Sequence, residues 1–221
     1  MADSPWQYSR AARRFRDTRS GRFLAFSKAV DLRDGFQERR QADVAALTRR
    51  LANEDISVQQ WEAEMTQAVR ETFSAQYALG RGGLNAMTAA DWLAADDLVQ
   101  AQRQYLRGFA QDIAAGKLSA AQITARAKLY YGASTAAYER GRAAAWGVRP
   151  PHVPGDGSTP CLSQCKCYLT YVDKPDEVHV TWHRTASESC SVCKSRARTW
   201  RPLVIAKTAG RHVARLYRAV A

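Results

Sequence analysis

Apolar residues recur at helical spacing through the first two thirds of the chain, and polar capping residues stand where most of these stripes begin. The clearest case is Val58, Trp61, Met65, Val69 and Phe73, which share one helix face and follow a capping box of Ser57 with Gln60. Ahead of it, Val30, Phe36, Val44, Leu47 and Leu51 mark a first helix over residues 29–53. Thr88 with Asp91 opens a third, whose stripe is Trp92, Val99, Leu106, Phe109 and Ile113 and which Gly116 ends. Ser119 with Gln122 opens a fourth, expected to run on to Gly147 and Pro150-Pro151. Its face carries Ile123, Ala127, Tyr130, Ser134, Ala137, Tyr138 and Gly141, and the small residues would let a neighbouring helix come close. The Gly80-Arg81-Gly82-Gly83 run reads as a turn and not as a phosphate loop, because no strand precedes it and no Gly-Lys-Ser/Thr follows.

After Pro151 the period changes. Pro154-Gly155-Asp156-Gly157-Ser158 is loop chemistry. Tyr168 to Val172 and Val178 to Trp182 alternate in strand fashion around Asp173-Lys174-Pro175-Asp176, which predicts a hairpin. Cys190 to Trp200 suits a short helix stopped by Arg201-Pro202. Further on, Val213, Leu216, Tyr217 and Val220 mark one side of a short basic helix. The expected fold is mainly α. A basic aromatic arm (1–28) precedes a helical domain (29–149), a Cys-rich β-hairpin module (150–205) and a basic helix (206–221).

All five cysteines lie in that module, at Cys161, Cys165, Cys167, Cys190 and Cys193. The first three and the last two form two close groups, and the hairpin between them would fold one group onto the other. Zinc takes four such thiolates in a tetrahedron. Five is one more than it needs: Cys190 and Cys193 form one pair, Cys161 partners either Cys165 or Cys167, and spacing does not choose. His152, His179 and His183 could substitute, although a surface or strand histidine is the commoner reading of each. A closed four-ligand site leaves no open position, so the zinc expected is structural. Disulfides are disfavoured by the odd count, by the lack of a signal-peptide pattern at the start and by the closeness of the pairs. A redox role for Cys190-x2-Cys193 would want a βαβ setting that the pattern lacks. Asp91, Asp96, Asp97 and Asp112 crowd the third helix, but no Glu-x-x-His stands elsewhere to complete a two-metal site, and they read as solvated charges. No enzymatic activity and no small-molecule substrate are expected.

Length and composition add that 221 residues, 46% of them hydrophobic, are enough for a sizeable core. No run of 18 apolar residues suggests a membrane span. Charge changes the picture more. The net +12 sits at the two ends: residues 1–40 carry 10 Lys/Arg against 5 Asp/Glu, residues 41–183 carry 14 against 15, and residues 184–221 carry 9 against 1. Basic ends on a neutral body favour a polyanion or an acidic protein surface as partner. The residues expected to meet it are Arg13, Arg14, Arg16, Arg19, Arg22 and Phe23 in the arm and Arg211, Arg215 and Arg218 in the tail. A zinc-dependent nucleic-acid-binding protein is the alternative that this charge keeps open.

Several of these segments together resemble a known family. They are Gln122 to Tyr131, Tyr138-Glu139-Arg140-Gly141-Arg142, the Pro-Gly-Asp-Gly-Ser-Thr-x-Cys-Leu-x-x-Cys-x-Cys segment over 154–167, and the Cys-x-x-Cys-x-x-Arg-Ala-x-x-Trp-x-Pro-Leu segment over 190–203. The arm stretch Arg16 to Phe23 belongs with them. The chain is similar to the minor head, or head morphogenesis, proteins of tailed bacteriophages, most specifically over 154–203. That resemblance implies a non-enzymatic component of the virion head, assembled in the host bacterial cytoplasm. Portal protein, major capsid protein or packaged DNA would be its neighbours, and the five cysteines would supply the ligands of a zinc ion.

Overall fold

The computed structural model describes residues 6–185 and 189–207, apart from the side chains of Trp6, Phe26 and Ser27. The fold is mainly α, with 59% helix against 13% strand. The helices are α1 (Phe26–Ala52), α2 (Val58–Arg81), α3 (Ala89–Ala114), α4 (Ala120–Gly132), α5 (Ser134–Ala145) and α6 (Ser191–Thr199). Ser57, Thr88 and Ser119 each form the capping box expected of them, with Gln60, Asp91 and Gln122. These starts are set by hydrogen bonds within four residues, so the local sequence suffices to place them.

The stripe expected to form one long fourth helix is divided between α4 and α5. Ser134 Oγ donates to the Tyr131 carbonyl at 2.6 Å, a local bond that competes with the helical ladder. At the same point Gly132 lies against the loop of residue 163: a Cβ there would stand 3.1 Å from the Ser163 carbonyl oxygen. The chain turns where the cysteine loop packs onto it. Further on, α5 crosses α2 at very short range. A Cβ on Gly80 would meet the Tyr138 carbonyl oxygen at 2.1 Å, and one on Gly141 would meet that of Tyr77 at 2.1 Å. The small-residue face around Gly141 serves the close approach expected of it.

Trp61, Met65, Val69, Phe73, Val99, Leu106, Phe109, Tyr130 and Tyr131 make the helical core, with Trp61 edge-on to Phe109 at 5.2 Å. Two expectations for α3 change. Trp92 is 44% exposed, and Asp91, not Trp92, faces inward at the start of the helix. The Asp91 carboxylate accepts from the Thr88 N–H (2.9 Å), the Thr88 hydroxyl (2.7 Å) and Arg81 Nε (3.0 Å). It is therefore a buried, paired group and not a solvated charge. Burial alone would raise its pKa, but these donors outweigh burial and hold it below the usual carboxylate range. Asp96 and Asp112 do pair at the surface, with Arg70 and with Lys117 and Arg126.

A second core lies under an antiparallel sheet ordered β3 (Tyr168–Asp173), β4 (Glu177–His183), β5 (Leu203–Ala206). The hairpin β3–β4 is the one the alternation predicts. β5 adds a strand that its four residues do not advertise, pairing Leu203 with Val180 and Ala206 with Glu177. Leu169, Val178, Val180, Trp182 and Ile205 point inward and pack with Val153, Cys193, Trp200 and the α5 residues Ala136 and Ala143. Helix α5 thus lies between both cores. Its Glu139 is fully buried there, bonded to Arg142 (3.2 and 3.3 Å) and 3.9 Å from Arg33 of α1.

The N-terminal arm folds as a hairpin, β1 (Trp6–Ser9) with β2 (Arg14–Asp17), and docks on this same chain. Tyr8 covers Gly82, where a Cβ would come within 2.6 Å of the ring. Arg13 turns the hairpin with φ 49, lies over the Trp146 ring at 4.2 Å and pairs with Asp173 at 3.2 Å. Arg14 is engaged with the Leu24 carbonyl and Arg16 with that of Gly21, while Arg19, Arg22 and Phe23 face solvent. Arg211, Arg215, Arg218 and the helix expected around them lie outside the described residues.

Candidate metal centre

Two segments carry the cysteines to one place, and the chemistry of each holds it in shape. The first is the loop from Val153 to Cys167. The Asp156 carboxylate gathers its beginning by accepting the N–H groups of Val153 (2.9 Å) and Ser158 (3.0 Å) and the Ser158 hydroxyl. Burial works to raise the Asp156 pKa, and those bonds together with Arg140 overcome it and lower it. Arg140 on α5 also donates to the Pro150 and Pro151 carbonyls, at 2.5 and 3.3 Å, so the loop is tied to that helix. A 3₁₀ turn, Leu162–Gln164, then separates Cys161 from Cys165, and Cys167 leads into β3.

The second segment is the start of α6. Cys190 is its N-cap, and the Cys193 N–H donates to Cys190 Sγ at 3.4 Å. Arg196, one turn further on, reaches back to the first segment, bonding Ser158 Oγ (2.9 Å) and the Ser158 carbonyl (3.4 Å) while lying over the Trp182 ring at 5.1 Å. Arg196 and Asp156 therefore set the distance between the two cysteine groups. Neither stands out by spacing: the Pro154–Ser158 stretch reads only as a turn, and a lone arginine in a basic stretch reads only as charge.

The sulfur atoms converge. Cys161 Sγ is 3.8 Å from that of Cys190 and 3.7 Å from that of Cys193, and Cys165 Sγ is 3.7 Å from Cys193. All five cysteines are free thiols. Cys161, Cys165 and Cys193 form one cluster, mutually within 4.8 Å, that could hold a metal ion. Four sulfurs around zinc at about 2.3 Å would stand about 3.8 Å apart, the edge of that tetrahedron. The three measured separations match it. Burial, with Cys165 and Cys190 close by, raises the Cys161 thiol. The Cys167 thiol and burial raise Cys165, and burial and the Cys190 thiol raise Cys193. Buried thiols crowded in this way stay protonated until a cation takes their charge, so binding an ion would release protons.

Cys167 is buried and Cys190 half-buried, and neither is one of those three mutually close sulfurs. The three histidines are elsewhere. His152 pairs with Asp156, His179 with Glu177, and His183 with Thr170 Oγ1 at 2.8 Å while stacking on Tyr168. No helix among the described residues is long and apolar enough to cross a membrane. No protein-family model, curated protein or solved structure matches the chain.

Proposed function

We propose that this chain is a non-enzymatic structural component of a tailed-phage head, a minor head or head morphogenesis protein. It would work at the portal vertex or on the capsid interior, with its C-terminal module stapled by a structural zinc. The observation that carries the reading is the stretch 154–203, where the resemblance is most specific. Its two cysteine segments come together with sulfur separations of 3.7–3.8 Å, the spacing a tetrahedral thiolate site requires. Charge supports an assembled setting: the exposed Arg19 and Arg22 and the basic sequence after residue 207 are suited to an acidic neighbour or to packaged DNA.

The ligands proposed are Cys161, Cys165, Cys190 and Cys193, with Cys167 the spare. Cys190 is preferred because the N–H of Cys193 already points at its sulfur, an arrangement that stabilises a thiolate. Metal content separates the candidates. Cys167→Ser is expected to keep one equivalent of zinc, whereas Cys161→Ser and Cys193→Ser should lose it. Zinc lost from Cys167→Ser and kept by Cys190→Ser would reverse the assignment of the fourth ligand. The role itself is tested by quantitative mass spectrometry of purified particles from the phage encoding this chain. A reproducible low ratio to the major capsid protein is expected, and absence from assembling and mature particles alike would exclude a head component.

A further inference from the structure

The outer face of the C-terminal sheet carries a feature that the metal centre does not use. An open groove of roughly 800 Å³ runs from it to the turn after α6, with Val172, Thr181, Ala197 and Pro202 among its lining residues. Every charged residue lining it is a cation or a histidine: Lys174, Arg184, Arg201, His179 and His183. No ion pair joins Lys174, Arg184 or Arg201 to a described residue; Arg201 spends only Nε, on the Ala197 carbonyl. Of the carboxylates around the hairpin turn, Asp176 is exposed with no ion pair to a described residue, and the other two are engaged. Asp173 lies between Arg13 and Lys207, and Glu177 is held by His179 at 2.5 Å. Burial, and then the Arg201 charge, lower the His183 pKa, so this imidazole adds a neutral hydrogen-bonding ring to a positive surface. Lys207 lies at the Lys174 edge, its Nζ on the Lys174 carbonyl. The residues that follow, 208–221, add Arg211, Arg215 and Arg218 and no acidic residue. Like charge disfavours that segment as the groove's own cover.

We propose that this groove binds the phosphodiester backbone of a single nucleic-acid strand. Charge complementarity selects a polyanion. Shape selects one strand: a concave, sheet-floored channel with cations and small rings can track phosphates, whereas a duplex is convex across its width. The proposal does not depend on the head assignment.

The test is fluorescence anisotropy of the full, metal-loaded chain with a fluorescein-labelled dT15 and with a 15-base-pair duplex, over a series of salt concentrations. Lys174→Gln/Arg184→Gln is expected to weaken dT15 binding at least tenfold. It should also reduce the slope of log K against log salt by about 1.4, two single-strand phosphate contacts' worth. Arg107→Gln/Lys128→Gln, on the exposed faces of α3 and α4, should stay within twofold of the parent protein. Thr181→Lys on the groove floor guards against a folding artefact, since it should bind more tightly with a steeper slope. Equal losses from the groove and helix-surface variants, an unchanged slope, a Thr181→Lys variant that gains nothing, or tighter binding of the duplex than of dT15 would each overturn the proposal.

Discussion

At the scale of single residues, the buried polar groups carry the most consequence. Asp91 closes the capping box of α3 and also accepts from Arg81, so Asp91→Ala removes a cap and leaves a guanidinium unpaired. A cost of about 2 kcal/mol is expected, the upper end of a cap deletion. Its folded-state pKa is depressed, so its stabilising contribution is complete above the ordinary carboxylate value, about 3.9, and fades as pH falls through the lower folded value. Urea unfolding of the parent and Asp91→Ala proteins should therefore differ by a constant amount between about pH 5 and 7 and converge in stronger acid. A gap that stayed constant into that acid range would show that Asp91 acts by packing alone. Glu139 is the costlier group to lose. Its removal would break the 3.2 Å ion pair with Arg142 and leave buried Arg33 with its 2.8 Å pair to Asp34.

At the scale of elements, the helix crossing of α2 and α5 is the tightest joint in the molecule. Gly80 and Gly141 each leave no room for a methyl group against a backbone carbonyl, which cannot swing aside as a side chain can. Gly141→Ala should cost about 3 kcal/mol or more in thermal or urea unfolding. Gly108 provides the contrast: it lies in α3 with nothing within 4 Å of a Cβ, so Gly108→Ala should stabilise by about 0.5–1 kcal/mol. Two changes of the same kind with opposite signs would isolate the crossing as the cause. The sequence made α2, α3 and the start of α4 legible because caps and stripes are local. It hid what distant partners decide. The α4–α5 break depends on the loop at Ser163. The arm becomes a hairpin because Tyr8 finds Gly82 and Arg13 finds Trp146. β5 exists because β4 has a free edge for it. The cysteine site was legible as a cluster, since five thiols in 33 residues need a common cause, but not as a ligand set. Which sulfurs approach is fixed by Asp156 and Arg196, whose roles are tertiary.

At the scale of the whole molecule, two cores share one helix. The helical core is built on Trp61, Phe73, Phe109 and Tyr131, and the sheet core includes Cys165, Cys167 and Cys193 among its buried residues. Removing a metal should thus act unevenly. In hydrogen exchange after chelation, protection should be lost over residues 153–206 and largely kept over 58–114, because small metal-bound modules fold with their ion. Uniform loss across both regions would mean that α5 transmits the damage and the chain unfolds as one unit.

Asp173 is the feature with the widest reach. Arg13 meets one of its oxygens at 3.2 Å and Lys207 the other at 2.5 Å, so a single turn residue fastens both the N-terminal hairpin and the strand that leads toward residue 208. The N-terminal hairpin and Lys207, nearly two hundred residues apart in sequence, are thereby moored at one pole. One carboxylate works as a clasp, so that a pull on either segment is felt by the other. Asp173→Asn would slacken both at once, which neither a hairpin variant nor a tail variant could do alone.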